Sequence, residues 1–444
     1  KLGINSSLTQ HISLHIGQSV LYKTGTILIN FLLVPITLDL LNSTNYGVWL
    51  TLSSFILWFQ FFDAGLGNGL RNKLAESLLT SDYEKAKAYV STAYFIIGFI
   101  SISIMFVFIF ISQYIEWTTF FNTDMTLQNE LKVLLPIVFS FFMLQLVLKL
   151  IINIYQAYEN HSITDKFQFI VQCFCLLTVW FLTKISLDSL LLFGAIYSSI
   201  PVLILILFNF LGFKKQFKKL KPSFSSFSKE NLKDITSLGL SFFITKIGAL
   251  VLLSTDTYII SKIYSPAEVV PYSLAYKYFS IIIILYGIIV QPYWTSFTRA
   301  YAEGNFKWIK ESVKSIQRLW LLVPTFLFFM ILFSDTFFDL WIGDKVEIPL
   351  NISLSIVFFV ILYTYSQMYN QFINGVGKVR LHVYISLLIM ILNIPLSIFL
   401  AKNMNLHISG IVLGSCICLV FKVVFLPIQY KKIIHNKAVG LWNV

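Results

Sequence analysis

The segment from Leu21 to Leu38, LYKTGTILINFLLVPITL, indicates the fold class of this chain. Every residue in it except Lys23 is readily accommodated in a lipid bilayer, and the segment approaches the roughly 20 residues that cross a hydrocarbon core of about 30 Å. A lysine at the centre of a bilayer costs roughly 2.5 to 3.5 kcal/mol on insertion scales. The segment therefore predicts a membrane helix in which Lys23 needs its own explanation.

Composition extends this prediction to the whole chain. Of the 444 residues, 57% are hydrophobic and 12% are charged, and the mean hydropathy is +0.77. That charged share is about half of the share typical of soluble domains. We expect an all-α polytopic membrane protein with about twelve transmembrane helices. The predicted spans are residues 16–39, 44–64, 87–112, 131–157, 163–183, 188–212, 235–262, 266–293, 316–334, 348–373, 379–401 and 406–430.

The basic residues predict the orientation of the spans. With the N-terminus placed in the cytoplasm, 23 of the 33 Lys and Arg residues fall on the cytoplasmic side, 5 on the opposite side and 5 within spans. This asymmetry follows the positive-inside rule and predicts that both termini are cytoplasmic. The net charge of +12 is therefore assigned to the cytoplasmic membrane face, and no nucleic-acid partner is expected.

The most basic loop, residues 213–233, divides the spans into two sets of six, which resemble each other at a constant offset of 223 positions. Lys23-Thr24-Gly25 aligns with Lys246-Ile247-Gly248, Trp49 with Tyr272, and Tyr83 with Phe306. An even number of spans per set implies parallel repeats about an axis along the membrane normal. We predict two pseudo-symmetric six-helix lobes, 1–212 and 234–444, joined by a basic cytoplasmic linker and facing a central cleft.

Polar residues within the spans are the candidates for function. Lys23, Thr26, Asn30 and Thr37 share one stripe of the first predicted helix. Lysines within spans, with few acids to neutralise them, favour a cationic, hydrated cavity whose guest is an anion. Alternatively, Lys23 and Lys246 snorkel to the headgroups or pair with an internal acid, and Lys422 is expected to snorkel. The predicted cavity residues are Lys23, Asn30, Lys149, Lys246 and Lys277.

Residues 61–87 predict an elbow on the cytoplasmic side. A span ends in glycines, and an amphipathic helix follows with Leu66, Leu70, Leu74 and Leu78 expected to face the membrane. Arg71 and Lys73 would then lie at the headgroup level, where they either receive a lipid phosphate at a cytoplasmic entrance or anchor the elbow.

Motifs for a cofactor are absent from the sequence. The glycines of the GLGNG segment, 65–69, follow a membrane helix rather than a strand, which argues against a dinucleotide-binding loop. Cys173/Cys175 and Cys416/Cys418 are Cys-x-Cys pairs within spans, and side chains two positions apart on a helix diverge by about 200°. We expect no cofactor and no metal site.

Three stretches carry a family resemblance, and together with the span pattern it extends over nearly the whole chain. TNYGVWLTLSSFILWFQFFDAGLGNGLRNKLAES, STDTYIIS and NGVGKVRLHVYISLLIMILNIPLSI resemble the O-antigen and polysaccharide-repeat flippases (Wzx type) of the multidrug/oligosaccharidyl-lipid/polysaccharide exporter superfamily. The resemblance implies alternating access between two lobes. It also implies transport of an undecaprenyl-pyrophosphate-linked oligosaccharide, such as a lipopolysaccharide repeat unit, from the cytoplasmic to the outer leaflet. The pyrophosphate would meet cavity cations, here matched by Lys23, Lys149, Lys246 and Lys277.

The expected setting is a bacterial inner membrane. The partners expected are the lipid-linked oligosaccharide, membrane lipids, a proton or sodium gradient, and a polysaccharide polymerase with its chain-length regulator. Asp63 and Asp256 are the ion-coupling candidates. We expect a transporter rather than an enzyme, since the larger predicted external loops, 113–130 and 335–347, show no Asp-x-Asp motif. The alternatives are an ion-coupled drug exporter of the same superfamily, whose cavity should favour acids, and a membrane polymerase or glycosyltransferase.

Overall fold

The computed structural model describes residues 6–59, 66–158, 160, 162–185, 189–231 and 239–443. Their side chains are described except at residues 6–16, 68, 79, 239–246, 249, 253 and 295. None of the described residues lies in a β-strand. Ten segments of this part of the chain are long and apolar enough to cross a membrane. The prediction of an all-α polytopic membrane protein is confirmed.

The chain divides into two compact units, Lys1–Leu52 with Ile56–Leu240, and Ser241–Val444 with Ser53–Phe55. Most helices of the first unit follow the predicted spans closely. They are α1 Ser6–Leu57, α2 Leu66–Leu79, α3 Tyr83–Ser112, α4 Trp117–Phe121, α5 Gln128–Leu148, α6 Leu150–Ala157, α7 Ile163–Lys184 and α8 Leu190–Lys214.

The second unit repeats this succession of long apolar helices. Its helices are α9 Gly239–Ile263, α10 Pro266–Phe279, α11 Ile281–Val290, α12 Tyr293–Ala302, α13 Phe306–Trp320, α14 Leu322–Leu332, α15 Ser334–Ile342, α16 Leu350–Val376, α17 Arg380–Ile398 and α18 His407–Ile434. A π-helical turn, Phe399–Asn403, follows α17. The core of this unit is formed by α18, which packs against both α16 and α17.

Helix α1 contains the first two predicted spans. It runs for 52 residues, but Asn42 interrupts it with φ 58° and ψ 170°. The side chain of Asn42 accepts a hydrogen bond from the backbone N–H of Asn45 at 3.0 Å. Asparagine tolerates a positive φ better than most residues, and its side chain caps the helix that restarts there. One predicted membrane span therefore ends and the next begins without a long loop between them.

Helix caps recur at the offset of 223 positions in the two units. Asn42 and Ser265 each accept from the N–H three residues later, at 3.0 Å and 3.4 Å. Asp82 and Asn305 do the same for Lys85 and Trp308, at 3.0 Å and 3.1 Å. Capping depends on local geometry, so matched caps in register show that the repeat seen in the sequence is structural.

The aligned glycines serve the same purpose in each unit. A Cβ at Gly25 would lie 2.4 Å from Phe169 on α7, and a Cβ at Gly248 would lie 2.7 Å from Ser386 on α17. In both units, therefore, the first membrane helix closely approaches the fifth at a residue without a side chain. Small residues at such contacts are typical of membrane helix packing.

The elbow helix α2 differs from the prediction. Leu66, Leu70 and Leu74 are 3%, 0% and 0% exposed. Helix α2 packs against α3 and α6, so this leucine face is buried in protein rather than turned toward lipid. The expectation that these leucines face the membrane is wrong, because an amphipathic stripe shows that a face is buried but not what covers it.

The basic segment 213–233 is fastened to the first unit by its described residues. The N–H of Ser223 donates to Ser91 Oγ and that of Ser228 to Thr92 Oγ1, both at 3.1 Å. Phe224 stacks on Phe95 with ring centroids 3.9 Å apart. Ser91, Thr92 and Phe95 all belong to α3. The segment thus lies along α3 instead of crossing open solvent.

Candidate functional site

The polar stripe of α1 bonds largely to its own backbone. Thr26 Oγ1 donates to the carbonyl of Tyr22 at 2.8 Å, and Asn30 Nδ2 donates to the carbonyl of Thr26 at 2.9 Å. Thr37, 4% exposed, donates to Leu33 at 2.7 Å. Such i to i−4 bonds satisfy hydroxyl and amide donors where water is scarce. Asn30 retains its carbonyl oxygen and second amide hydrogen for other partners.

Lys23, the charged member of this stripe, pairs with an acid of the same unit. Its Nζ lies 3.9 Å from Oδ1 of Asp165, in the first turn of α7. The two side chains are 36% and 16% exposed. One alternative for Lys23, pairing with an internal acid, is met by this contact, and its cavity role stays a prediction. The separation is at the long end of an ion pair, and the ammonium keeps donors free for a second acceptor.

Arg71 reaches the same turn by another route. Its Nη1 donates to Gln156 Oε1 at 3.4 Å, and Gln156 Nε2 donates to Thr164 Oγ1 at 2.8 Å. Thr164 immediately precedes Asp165, so Arg71 and Lys23 contact the same stretch of chain. We call the described residues between 156 and 165, namely 156–158, 160 and 162–165, the α6–α7 turn. Lys73 instead pairs with Glu76 on its own helix at 2.8 Å.

Lys149 lies where a membrane helix is interrupted. It separates α5 from α6, and its side chain is exposed. Asn209 on α8 donates to the carbonyl of the preceding residue, Leu148, at 2.9 Å and compensates for the broken helical pattern. No ion pair joins Lys149 to another described residue, so its charge is available to a ligand.

In the second unit, Asp256 on α9 is the centre of a buried polar network. It is 3% exposed and accepts from Ser415 Oγ at 3.1 Å and from Tyr272 Oη at 3.4 Å. Ser415 in turn accepts from Asn393 Nδ2 at 2.8 Å, whose Oδ1 accepts from Thr255 at 3.1 Å. Hydroxyl donors stabilise a buried carboxylate, although no cation pairs with it among the described residues.

A narrow pocket lies beside this carboxylate. It is lined by Leu252, Asp256, Tyr272, Tyr276, Phe359 and Val412, all of the second unit. Tyr272 and Tyr276 stack at 6.1 Å. A carboxylate bordered by hydroxyls and aromatic rings can hold a proton or a small cation. An anion would be repelled.

The other predicted positions in the second unit differ in accessibility. Lys277 on α10 is half-buried, three residues before the break at Ser280 that separates α10 from α11, and no described residue forms an ion pair with it. Lys422 on α18 is only 8% exposed, and so it does not snorkel toward the headgroups as the sequence suggested. The backbone of Lys246 belongs to α9, but its side chain and the whole of Asp63 lie outside the described residues.

The sequence does not indicate several of the residues that contact these groups. Asp165 stands at a predicted helix start, where an acid normally interacts favourably with the helix dipole, so its position gives no sign of a pairing role. Ser415, Asn393 and Tyr272 are ordinary in composition, and only the packing of α9, α10, α17 and α18 brings them to Asp256. The stretch STDTYIIS, 254–261, was the available signal, since three polar residues there surround one intramembrane acid.

Two units of membrane helices with charged residues inside them are the architecture of a polytopic membrane protein, and the comparisons with known proteins show its family. The chain belongs to the polysaccharide biosynthesis protein family, whose model matches residues 15–298. It is a membrane transporter rather than an enzyme, as its named relatives are.

Two curated relatives match most of this chain over most of their own length. A protein of Yersinia pseudotuberculosis named "Putative O-antigen export protein" is 22% identical over 80% of this chain and 81% of its own length. A "Putative O-antigen transporter" of Salmonella typhimurium is also 22% identical, over 88% and 90%.

The solved structures agree at the level of fold. An inward-facing multidrug resistance MATE family transporter of the MOP superfamily superimposes with a TM-score of 0.74, at 13% identity and with 95% and 96% coverage. A second family model, MatE, matches residues 239–399.

Proposed function

We propose that this protein is a flippase that moves undecaprenyl-pyrophosphate-linked oligosaccharide, an O-antigen or related repeat unit, from the cytoplasmic to the outer leaflet. The observation that carries the proposal is the presence of lysines within membrane helices of a polysaccharide-biosynthesis family member. No described acid forms an ion pair with Lys149 or with Lys277. Two phosphates and a glycan cannot cross hydrocarbon unaided, because burying unpaired charge is prohibitive.

The proposed roles follow from charge and position. Lys23, Lys149, Lys246 and Lys277 would meet the pyrophosphate, and Asn30 would hydrogen-bond to the phosphate or to the glycan. Arg71 and Lys73 would receive the headgroup at the cytoplasmic entrance. The lobes would span residues 1–212 and 234–444 with the linker 213–233 between them, and alternating access would expose the cavity to each leaflet in turn. The polyprenyl tail would stay in lipid.

The proposed energy source is a proton or sodium gradient acting through Asp256 or Asp63, or else the substrate flux itself. The buried position of Asp256 supports the first possibility, because protonation or cation binding would change a charge that packing has removed from water. The proposed location is the bacterial inner membrane with both termini cytoplasmic. There a polysaccharide polymerase with its chain-length regulator would use the delivered repeat units.

A test of the function begins with Lys23. We expect Lys23→Ala to reduce delivery of glycan to the cell surface while the protein still accumulates in the membrane. Loss of a charge-assisted hydrogen bond costs about 1.5 to 3 kcal/mol, or roughly 10- to 150-fold in affinity. Lys23→Arg should retain part of the activity because arginine still offers a cation to phosphate oxygens.

The control for this test is Lys345→Ala in the predicted external loop 335–347, which removes a lysine of the same charge far from the proposed path. Surface glycan is measured by its antigenicity in cells that lack their own flippase. Wild-type amounts of glycan with Lys23→Ala would contradict the assignment of Lys23 and leave it a purely structural residue.

Drug export is the second candidate function, favoured by the MatE match and by the buried carboxylate of Asp256, which suits a cationic guest. Reconstituted vesicles separate the two functions. A flippase moves a labelled polyprenyl-diphosphate oligosaccharide to the opposite leaflet and leaves a lipophilic cationic dye untouched, whereas a drug exporter does the reverse.

A further inference from the structure

The contact of Lys23 with Asp165 has a consequence for how an anion would bind. This pair joins α1 to α7, unlike the pairs Lys73–Glu76 and Arg299–Glu303, which join residues three and four positions apart in the chain. Tyr22 and Gly25, on either side of Lys23 along α1, both pack on Phe169, one turn after Asp165. The backbones of α1 and α7 are thereby held together, and the lysine and the carboxylate stay within reach of each other.

The same turn holds a second cationic side chain. Arg71 is linked to Thr164 through Gln156, by contacts of 3.4 Å and 2.8 Å. Ser162 donates to Gln18 at 3.0 Å and connects the turn to α1 five residues before Lys23. The described residues of the α6–α7 turn therefore contact two cationic side chains, Lys23 and Arg71, and include the carboxylate of Asp165.

We propose that Asp165 is an internal counter-ion that occupies Lys23 in the empty transporter and is displaced by the diphosphate of the substrate. The inference rests on the proposed function and specifies how its site is regulated. A diphosphate carries more negative charge than a carboxylate and presents more acceptor oxygens, so it competes successfully for the ammonium group. The long contact of 3.9 Å and the 36% exposure of Lys23 leave room for this exchange.

The displaced carboxylate then has a second effect. It remains next to a bound anion of the same sign, and like charges at close range repel each other. Asp165 would therefore lower the affinity for diphosphate and favour its release once the site opens to the other side. A carboxylate that merely stabilised the fold would have neither effect.

The test measures binding of inorganic pyrophosphate to the purified full-length protein by calorimetry, together with transport in vesicles. Asp165→Asn should tighten pyrophosphate binding about 2- to 5-fold, the range expected for removing a partly exposed ion pair. It should at the same time slow transport turnover. Asp165→Glu should restore both values. The gain in affinity should shrink at high salt, which screens exposed charges.

A double-mutant cycle shows whether Asp165 acts through Lys23. In the Lys23→Ala background, Asp165→Asn should have a smaller effect on affinity than in the wild type, because the lysine that the carboxylate occupied is gone. The matched control is Glu303→Gln, which breaks an exposed pair of 2.8 Å and should change neither binding nor transport. If Asp165→Asn fails to fold, Asp165→Ser also removes the charge and retains a hydroxyl for the first turn of α7.

The outcomes separate this inference from the proposed function. In one outcome, pyrophosphate binds the wild type and Lys23→Ala weakens this binding, but removing the Asp165 charge leaves the affinity unchanged or lowers it. The counter-ion role is then overturned and the flippase proposal stands. An equal gain in both backgrounds also overturns it, since the carboxylate then acts without Lys23. If wild type and Lys23→Ala bind pyrophosphate equally or not at all, both the diphosphate site and the counter-ion fail.

Discussion

At the scale of the residue, polar and charged groups within the membrane helices find partners in three ways. Thr26 and Asn30 bond to the backbone of their own helix, Lys23 pairs with Asp165, and Asp256 accepts from two hydroxyls. Each arrangement reduces the free-energy penalty of placing a polar or charged group away from water. Lys149 and Lys277 form no ion pair with any described residue, so their charges are available to a ligand.

Asp256 allows a test of ion coupling. We expect Asp256→Asn to slow transport and to weaken its dependence on external pH, because the amide keeps the shape of the side chain but cannot take up or release a proton. Transport is measured in vesicles at several external pH values. Asp344→Asn, an exposed acid of the predicted external loop, is the control. Normal transport with an unchanged pH dependence in Asp256→Asn would show that the network around this residue is only structural.

At the scale of the element, the helices of the second unit are packed through residues that have little or no side chain. A Cβ at Gly414 of α18 would lie 2.7 Å from the backbone Cα of Ser397, and one at Gly410 would lie 2.7 Å from the backbone N of Ala401. Ser397 also donates to the carbonyl of Ile411 at 3.0 Å. Close backbone approach replaces the hydrophobic driving force that helices lack in lipid.

This packing makes Gly414 sensitive to the addition of one carbon. We expect Gly414→Ala to destabilise the protein by about 1 to 3 kcal/mol, the usual range for overpacking a close contact, because the backbone N and Cα of Ser397 lie in the way and cannot move aside as a side chain could. Gly287→Ala in α11 should be neutral or stabilising, since nothing lies within 4 Å of a Cβ there. The midpoint of thermal unfolding in detergent measures both changes. Equal midpoints would mean that α17 and α18 do not approach closely at this point.

The matched caps give a second prediction for individual elements. Asp82→Ala and Asn305→Ala should each destabilise the protein by about 0.5 to 2 kcal/mol, because each leaves the first turn of its helix without the side-chain acceptor. The two losses should be similar if the units are true repeats. Asp124→Ala is the control, because Asp124 precedes a short helix without capping it through its side chain. A loss for one cap alone would argue against equivalent roles.

At the scale of the whole molecule, the distribution of charge predicts which loops face the cytoplasm. Single cysteines placed in 213–233 should react only with reagents that enter the cell, and cysteines in 335–347 should react with impermeant reagents from outside. The background is a variant in which the four native cysteines are replaced by serine, since Cys173 is partly accessible. Labelling of 213–233 by an impermeant reagent in intact cells would show that the orientation is the opposite of the predicted one. The direction of transport inferred from that orientation would then be wrong as well.

The sequence alone determined the class of fold. Spans of about 20 apolar residues can only be helices in a bilayer, because every backbone group must be satisfied within the segment, and composition is enough to locate them. The repeat at 223 positions was also visible in the sequence, because caps, turns and close-packing glycines depend on residue type at fixed places. The sequence does not reveal the helix break at Lys149, because its neighbours are apolar and the Asn209 side chain that supports it comes from another helix.

Only the tertiary structure decided which polar groups meet. The leucines of α2 proved to be buried against α3 and α6, and Lys422 proved to be enclosed. Lys23 proved to face Asp165, 142 positions later in the chain. A hydrophobic pattern specifies that one face of a helix is covered. The free-energy cost of a charge within a membrane specifies that a lysine there needs a partner. Neither specifies the partner, because the choice depends on which helices lie side by side and at what height.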